Sequence, residues 1–184
     1  SKSSFVNGPG NRFVIWTQGC SKGCKNCFNP ATWNFEPNLL LDVKEIFELI
    51  KESNVSGVTI SGGDPLEQEV ELLELLFFLK EIKLPKGIIL FTGFSRNEIR
   101  ENPIREKCLS YIDVLIDGLY VEEKRITNGL ESEQDKIFKV FQWTYNNIQP
   151  QPKSLPVIDD HVWNIYIRGY GSSDSFGDLF TTLC

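Results

Sequence analysis

The 184-residue sequence lacks the features of a membrane protein, a secreted protein and a nucleic-acid-binding protein. It contains no apolar run of about 18 residues, which a transmembrane helix needs. Its first residues, Ser-Lys-Ser-Ser-Phe, lack the apolar core of a signal peptide. Lys and Arg form no dense run, and a net charge of −6 disfavours binding to a phosphate backbone. We therefore expect a cytoplasmic protein with no membrane and no nucleic-acid partner.

Two residue types that often serve as ligands are scarce. Methionine is absent, so we expect that the initiator was removed or replaced, and His161 is the single histidine. Because His161 lies on a predicted alternating strand, we interpret it as a packed or exposed residue rather than a ligand or a base. Cysteine, by contrast, is concentrated: three of the five cysteines fall within eight residues.

Cys20, Cys24 and Cys27 form a Cys-x3-Cys-x2-Cys loop, which predicts a metal-binding site. Thiolates bind soft metals and iron–sulfur clusters, and an odd total of cysteines fits a reducing compartment better than a disulfide framework. Closed zinc and electron-transfer sites usually have four protein ligands, whereas three leave one metal position open for catalysis. A closed zinc site is the alternative, and it would need Cys108 or Cys184 as its fourth ligand. We interpret these two as a buried thiol and a terminal free thiol.

Strands and helices alternate along the first two thirds of the chain. Predicted strands cover residues 12–17, 57–60, 87–91 and 112–116, and predicted helices cover about 42–53, 67–82, 95–101 and 103–110. This alternation is typical of βαβ units with right-handed crossovers and a mainly parallel sheet. Because so few strands cannot close an eight-stranded barrel, the predicted fold is α/β, an open and partial (βα) barrel.

Glycine-containing or polar motifs follow each predicted strand directly. They are the cysteine loop, Ser61-Gly62-Gly63-Asp64-Pro65, Thr92-Gly93 and Asp117-Gly118. The carboxyl ends of parallel strands lie at one edge of a sheet, so we expect these motifs to form one site. Each glycine pair or motif is also a common turn sequence, and a turn without a ligand remains the alternative for each.

The pattern is less regular beyond Asp117. We predict a polar loop over residues 118–135, a strand over 136–145, a linker-like break over 149–156, a final strand over 161–167 and a mobile segment over 169–180. The expected organisation is a core domain over residues 1–148. A C-terminal strand and mobile tail over 149–184 would pack on or near this core.

The cysteine spacing and its flanking residues resemble a known family. The matching motifs are Asn7-Gly8-Pro9-Gly10-Asn11-Arg12, Trp16-Thr17-Gln18-Gly19-Cys20, Cys27-Phe28-Asn29-Pro30-x-Thr32-Trp33, Ser61-Gly62-Gly63-Asp64-Pro65, Phe91-Thr92-Gly93-Phe94 and Ile116-Asp117-Gly118-Leu119-Tyr120. The cysteine spacing is the signature of the radical S-adenosylmethionine (radical SAM) superfamily, whose fold is a partial barrel of the predicted type. The flanks resemble the activating proteins of anaerobic ribonucleotide reductase, and the resemblance covers about residues 7–120.

The resemblance implies two cofactors, a [4Fe–4S] cluster and S-adenosylmethionine (SAM). Cys20, Cys24 and Cys27 would bind three irons, SAM would chelate the fourth, and an electron from the cluster would cleave SAM to methionine and a 5′-deoxyadenosyl radical. The resemblance assigns no side chain a catalytic role of its own. The SAM-binding positions that it implies are Asn26, Gly62, Gly63, Asp64, Thr92 and Asp117.

Three positions add detail to these implied roles. Asp64 stands where the family usually has glutamate, and it could accept a hydrogen bond from the SAM amino group with a shorter reach. Asn26 precedes the last cysteine at a position that is aromatic in much of the superfamily. Arg12 follows a glycine-rich turn and is either a salt-bridge residue or, as its match to the family motif implies, a residue at the edge of the site.

Three functions compete at this point. The first is a radical SAM oxidoreductase that installs a glycyl radical on a partner enzyme and takes electrons from a donor such as flavodoxin or ferredoxin. The second is the same radical chemistry on another peptide, a nucleotide or a small molecule, because residues 128–134 depart from the family pattern and the tail from residue 150 has no assigned counterpart. The third is a non-catalytic iron–sulfur or zinc module.

Overall fold

The computed structural model describes residues 1–27 and 29–121 and the backbone of two further strands, 164–168 and 176–178. The strands in this part of the chain are β1 (Arg12–Thr17), β2 (Gly57–Gly62), β3 (Ile88–Phe91), β4 (Val114–Asp117), β5 (Asn164–Arg168) and β6 (Phe176–Asp178). The α-helices are α1 (Val43–Glu52), α2 (Glu69–Leu79), α3 (Arg96–Glu101) and α4 (Pro103–Leu109). Short 3-10 turns cover Pro30–Thr32 and Pro65–Gln68.

The strands form one sheet in the order β1-β2-β3-β4-β5-β6. Strands β1 to β4 are parallel, whereas β5 and β6 are added antiparallel to β4 and to each other. The predicted α/β class with a mainly parallel sheet is confirmed, and four parallel strands are consistent with an open, partial barrel.

The C-terminal predictions have mixed outcomes. The strand predicted over 161–167 is confirmed as β5, Asn164–Arg168, but β6 follows it, so it is not the final strand. Within the segment predicted to be mobile, Phe176–Asp178 forms β6 and pairs with β5, and the mobility itself stays a prediction. Glycine- and serine-rich composition does not reveal this pairing, because a partner strand supplies it. Several predictions concern residues that the structure does not describe, namely the strand at 136–145, His161, Cys184 and residues 128–134. The domain division at residue 148 stays a prediction.

The helices that pack on the sheet follow simple sequence rules. Asp42 caps α1 in a reciprocal box with Glu45, and Phe47 and Ile50 of this helix are buried. In α2 the leucines at positions 72, 75, 76 and 79 are buried, which is the spacing of one helix face. They contact a core that includes Val58, Ile60 and Leu90 of the central strands, all with no exposed surface. Burial of each such side chain stabilises the fold by roughly 1.5–3 kcal/mol.

The amino-terminal edge of the sheet is closed by Arg12, which is fully buried. Its guanidinium donates to Thr59 Oγ1 at 2.6 Å and to the backbone oxygens of Pro9, Val58, Lys86 and Gly87 at 2.6–3.2 Å. The implied place of Arg12 at the edge of the site is therefore wrong. The residue begins β1, whereas the expected site lies where β1 ends.

Residues 1–4 run along the outer side of β1. Val14 N donates to Ser1 O at 2.8 Å, and Arg12 N donates to Ser4 O at 2.9 Å in an antiparallel bridge. None of the helices that the structure describes has the length and apolarity of a membrane span.

Candidate cofactor site

An open cavity lies at the carboxyl ends of the parallel strands, with about 580 Å³ of empty space that includes space open to solvent. The loops that follow all four of these strands contribute to its lining, as the alternation of strands and helices predicted. Among the lining residues are Cys20, Cys24, Cys27, Lys22, Gly62, Gly63, Thr92, Gly93, Gly118 and Tyr120. The three cysteine thiols are thus brought together with the two glycines that follow β2.

The cysteine loop is a tight, irregular turn. Its three thiols are free and half-buried, and Cys27 N donates to Cys24 O at 3.1 Å. Gly23 and Asn26 both adopt left-handed backbone conformations, with φ of 55° and 58°, which glycine and asparagine tolerate best. Asn26 is not among the residues that line the cavity. Its backbone forms part of the turn that precedes Cys27. Burial raises the pKa of the Cys20 thiol.

Gly62 and Gly63 hold the cysteine loop against the end of β2. Gly63 N donates to Thr17 O at 2.9 Å, and Asp64 N donates to Gly19 O at 2.8 Å. A Cβ atom at Gly63 would collide with the backbone oxygens of Gly19 and Thr32. The family resemblance implies that these glycines contact SAM, which stays a prediction, and in the structure Gly63 lies against the cysteine loop.

Asp64 is buried behind the cavity and joins the ends of β2 and β3. Its carboxylate accepts from Gly93 N at 2.7 Å, from Thr92 Oγ1 at 2.8 Å and from Leu66 N at 3.0 Å. Burial raises the pKa of Asp64 to about 6, although these hydrogen bonds favour the charged form. Thr92 lines the cavity and Asp64 does not.

Asp117, at the carboxyl end of β4, is also fully buried. The cavity wall beyond this strand comes instead from Gly118 and Tyr120. Cys108 lies buried in α4, as predicted, and burial raises the pKa of its thiol to about 12. Among the described residues, no three His, Cys, Asp or Glu side chains form a group that could hold a single metal ion.

Sequence reasoning missed Lys22, Glu67 and Glu98. The Lys22 ammonium lies 2.7 Å from Glu98 Oε1 and 3.7 Å from the centre of the Phe94 ring. The hydrogen bond from Lys22 is the main reason that the pKa of Glu98 falls to about 2. The spacing Ser95-x-x-Glu98 is a visible capping-box signal, but the contact of Glu98 with Lys22 joins residues 76 positions apart.

The residues present fit a [4Fe–4S] cluster with a co-ligand. Three thiols face one cavity, and thiolates are the usual ligands of iron–sulfur clusters. Gly62 and Gly63 line the same cavity beside the thiols, so backbone without side chains borders it there. Cys20, Cys24 and Cys27 would hold three irons there.

Comparison with known proteins agrees with this site. The family described as a 4Fe-4S single cluster domain matches residues 6–138. The anaerobic ribonucleoside-triphosphate reductase-activating protein of Enterobacteria phage T4 is 34% identical over 138 residues, which is 71% of this chain and 86% of the relative. The protein of the same name from Pasteurella multocida is 34% identical over 130 residues, or 66% of this chain and 82% of the relative.

A third relative carries a different name. The pyruvate formate-lyase-activating enzyme of Staphylococcus epidermidis is 31% identical over 181 residues, which is 95% of this chain and 68% of the relative. A [4Fe–4S] cluster and SAM are accordingly the cofactors of this protein. From the cavity with three thiols, the cluster-domain match and these relatives together, it follows that this chain belongs to the radical SAM activating enzymes of glycyl-radical enzymes.

Proposed function

We propose that this protein activates a glycyl-radical partner enzyme by abstracting a hydrogen atom from one of its glycines. The observation that carries the proposal is the shared cavity of Cys20, Cys24 and Cys27 with Gly62 and Gly63. When both cofactors are bound, an electron from the cluster cleaves SAM to methionine and a 5′-deoxyadenosyl radical. An external one-electron donor such as flavodoxin or ferredoxin would supply that electron.

The chain's own residues would bind and orient the cofactors. The three thiolates would each hold one iron, and the backbone at Gly62 and Gly63, with Thr92 on the neighbouring wall, would hold SAM. Asp64 acts from behind this wall, because its carboxylate accepts from the Thr92 hydroxyl and the Gly93 N–H and so holds this loop in place. In the same proposal Asn26 and Asp117 shape the site at the last cysteine and at the end of β4.

A protein substrate suits an incomplete barrel. Within the part of the chain that the structure describes, the strands form an open sheet rather than a closed barrel, which would let a loop of another protein reach the cavity from the side. Similarity to activating proteins of anaerobic ribonucleoside-triphosphate reductase over most of their length supports that reductase as the partner.

The test is anaerobic reconstitution of the full chain with iron and sulfide. We expect about four irons per chain and release of methionine and 5′-deoxyadenosine when dithionite and SAM are added. Cys24→Ala should abolish the release, and Cys108→Ala, a buried thiol outside the cavity, should leave it intact. Failure of the reconstituted wild type to cleave SAM would refute the proposal.

A second candidate partner is supported by an alignment that covers nearly the whole chain. The pyruvate formate-lyase-activating enzyme aligns with 95% of this chain, including its C-terminal part. Incubation of the reduced enzyme with each purified glycyl-radical enzyme separates the two, because the glycyl radical gives a characteristic electron paramagnetic resonance (EPR) doublet. A doublet in only one of the samples identifies the partner.

A further inference from the structure

Two adjacent residues of the cysteine loop are each held by a carboxylate. Ser21 N donates to Glu67 Oε1 at 2.9 Å, and the Ser21 hydroxyl donates to the same oxygen. Lys22 Nζ donates to Glu98 Oε1 at 2.7 Å. Ser21 and Lys22 lie between Cys20 and Cys24, so both contacts act on the segment that separates the first two thiols.

Glu98 is itself fixed in place. It is the third residue of α3, and its other oxygen, Oε2, accepts from Ser95 N and Ser95 Oγ, both at 2.7 Å. The Lys22 side chain is only 13% exposed, and its ammonium lies over the face of the buried Phe94 ring. A cation over an aromatic face is further stabilised when it is desolvated. The Lys22 charge is therefore kept at the cavity wall by two groups after β3, the Glu98 carboxylate and the Phe94 ring.

Glu67 belongs to the 3-10 turn that begins directly after Asp64. The next residue of this turn, Gln68, donates from Nε2 to Gln18 O at 2.7 Å. The turn therefore contacts the cysteine loop on both sides of Cys20. Gly62 and Gly63, which are proposed to hold SAM, directly precede Asp64 and this turn. Short contacts therefore connect the proposed SAM-binding backbone with the residues on both sides of Cys20.

We propose that Glu67 and Glu98 are positioning residues that fix the Cys20–Cys24 segment, and that Glu98 also sets where the Lys22 charge lies relative to the cluster. This inference rests on the proposed function, since it needs a cluster at the three thiols. Reduction potentials of iron–sulfur clusters depend on nearby charge, hydrogen bonds and exposure. The two carboxylates would thus act on both the geometry and the potential of the site.

The test uses the anaerobically reconstituted full chain and its Glu67→Ala, Glu98→Ala and Lys22→Met variants. Glu48→Ala is the matched control, because Glu48 forms an exposed pair with Lys51 on α1, away from the site. The measurements are the midpoint potential, the EPR spectrum of the reduced cluster and the rate of iron loss to a chelator. They do not require turnover.

We expect iron loss to be several-fold faster in all three site variants and unchanged in Glu48→Ala. The midpoint potential should become more positive in Glu98→Ala, which loses a negative charge, and more negative in Lys22→Met, which loses a positive one. The Lys22→Met/Glu98→Ala double variant should lose iron no faster than either single variant, because both remove the same contact.

Ser95→Ala separates the role of Glu98 at the loop from its role as a helix cap. This variant removes the serine hydroxyl from the cap of α3 and leaves the Glu98–Lys22 pair intact, so the potential should match that of the wild type. Should a variant fold poorly, as judged by circular dichroism, Glu67→Gln and Glu98→Gln keep an acceptor oxygen while removing the charge. The inference is overturned if the wild type holds its cluster and the Glu67 and Glu98 variants match Glu48→Ala in potential, spectrum and iron loss.

Discussion

A carboxylate with no exposed surface, such as Asp64, is subject to two opposing effects. Desolvation favours its neutral form, and hydrogen bonds from Leu66 N, Thr92 Oγ1 and Gly93 N favour its charged form. Desolvation is the larger effect here, so the pKa lies at about 6 rather than 3.8. The residue therefore couples two loops of the site and responds to pH near the neutral range.

The raised pKa of Asp64 predicts a pH dependence of stability. Because the folded chain binds the proton more tightly than the unfolded chain, the stabilisation is fully present below pH 3.8 and is lost as pH rises through about 6. For a shift of this size the loss is about 3 kcal/mol. Urea unfolding of the cluster-free chain and of Asp64→Asn between pH 4 and 7.5 measures it, because asparagine does not titrate. A difference between the two proteins that stays constant over this range would contradict the prediction.

Gly63 provides a second prediction at a single residue. In Gly63→Ala the new Cβ meets the backbone oxygens of Gly19 and Thr32, so the cysteine loop must move away from β2. We expect at least a ten-fold loss of SAM cleavage together with fewer irons per chain. Gly23→Ala is the control in the same loop: its Cβ has no neighbour within 4 Å, and only its positive φ costs roughly 1–2 kcal/mol. Equal iron content in both variants would argue against the collision.

The sequence alone identified the thiols and the two glycines because their signal is local. Cys20, Cys24 and Cys27 lie within one loop, and Gly62-Gly63 directly follows a strand. The contacts of Ser21 with Glu67 and of Lys22 with Glu98 join residues 46 and 76 positions apart. No spacing rule predicts such pairs, because they depend on which strand-end loops the parallel sheet places side by side.

At the scale of elements, periodicity predicted the existence of strands and helices better than their ends. The helix predicted over 67–82 is the 3-10 turn Pro65–Gln68 followed by α2 (Glu69–Leu79). Asp64 caps the tighter 3-10 turn and Pro65 begins it. The Asp64 carboxylate also accepts hydrogen bonds from Thr92 and Gly93 in the loop after β3. The strands β1 to β4 were predicted within a few residues, because each is a short apolar run between turn residues.

The cap of α1 gives a prediction at this scale. Asp42 accepts from Lys44 N at 2.8 Å, and Glu45 accepts from Asp42 N at 2.9 Å. Asp42→Ala should lower the free energy of unfolding by about 1 kcal/mol. Urea denaturation measures the change, and Asp42→Ser, which restores a capping oxygen, should recover most of it. Because α1 lies outside the cavity lining, SAM cleavage per bound cluster should not change in either variant.

At the scale of the whole molecule, the two edges of the sheet have separate tasks. The carboxyl edge bears the cavity, and the amino edge is held together by the buried Arg12, which binds oxygens from β2, the turn before β3 and the turn before β1. Truncation of this side chain leaves several buried acceptors without a donor.

We therefore predict that Arg12→Met destabilises the fold by about 3 kcal/mol or more. Thermal unfolding followed by circular dichroism measures this loss. The KM for SAM of the folded fraction should match that of the wild type, because the residue lies at the edge opposite the cavity. A large change in this KM at 20 °C would show that the two edges are coupled.

Residues 1–4, which pair with the outer side of β1, affect how the protein behaves in concentrated solution. They occupy backbone groups on the outer side of β1, including Arg12 N and Val14 N, where the described sheet has no further strand. A bare strand of this kind is a template for pairing with another chain. Deletion of residues 1–4 should therefore increase light scattering at high protein concentration, while the monomeric fraction keeps its SAM cleavage. Four residues remote from the chemistry would then determine whether molecules of this enzyme stay separate.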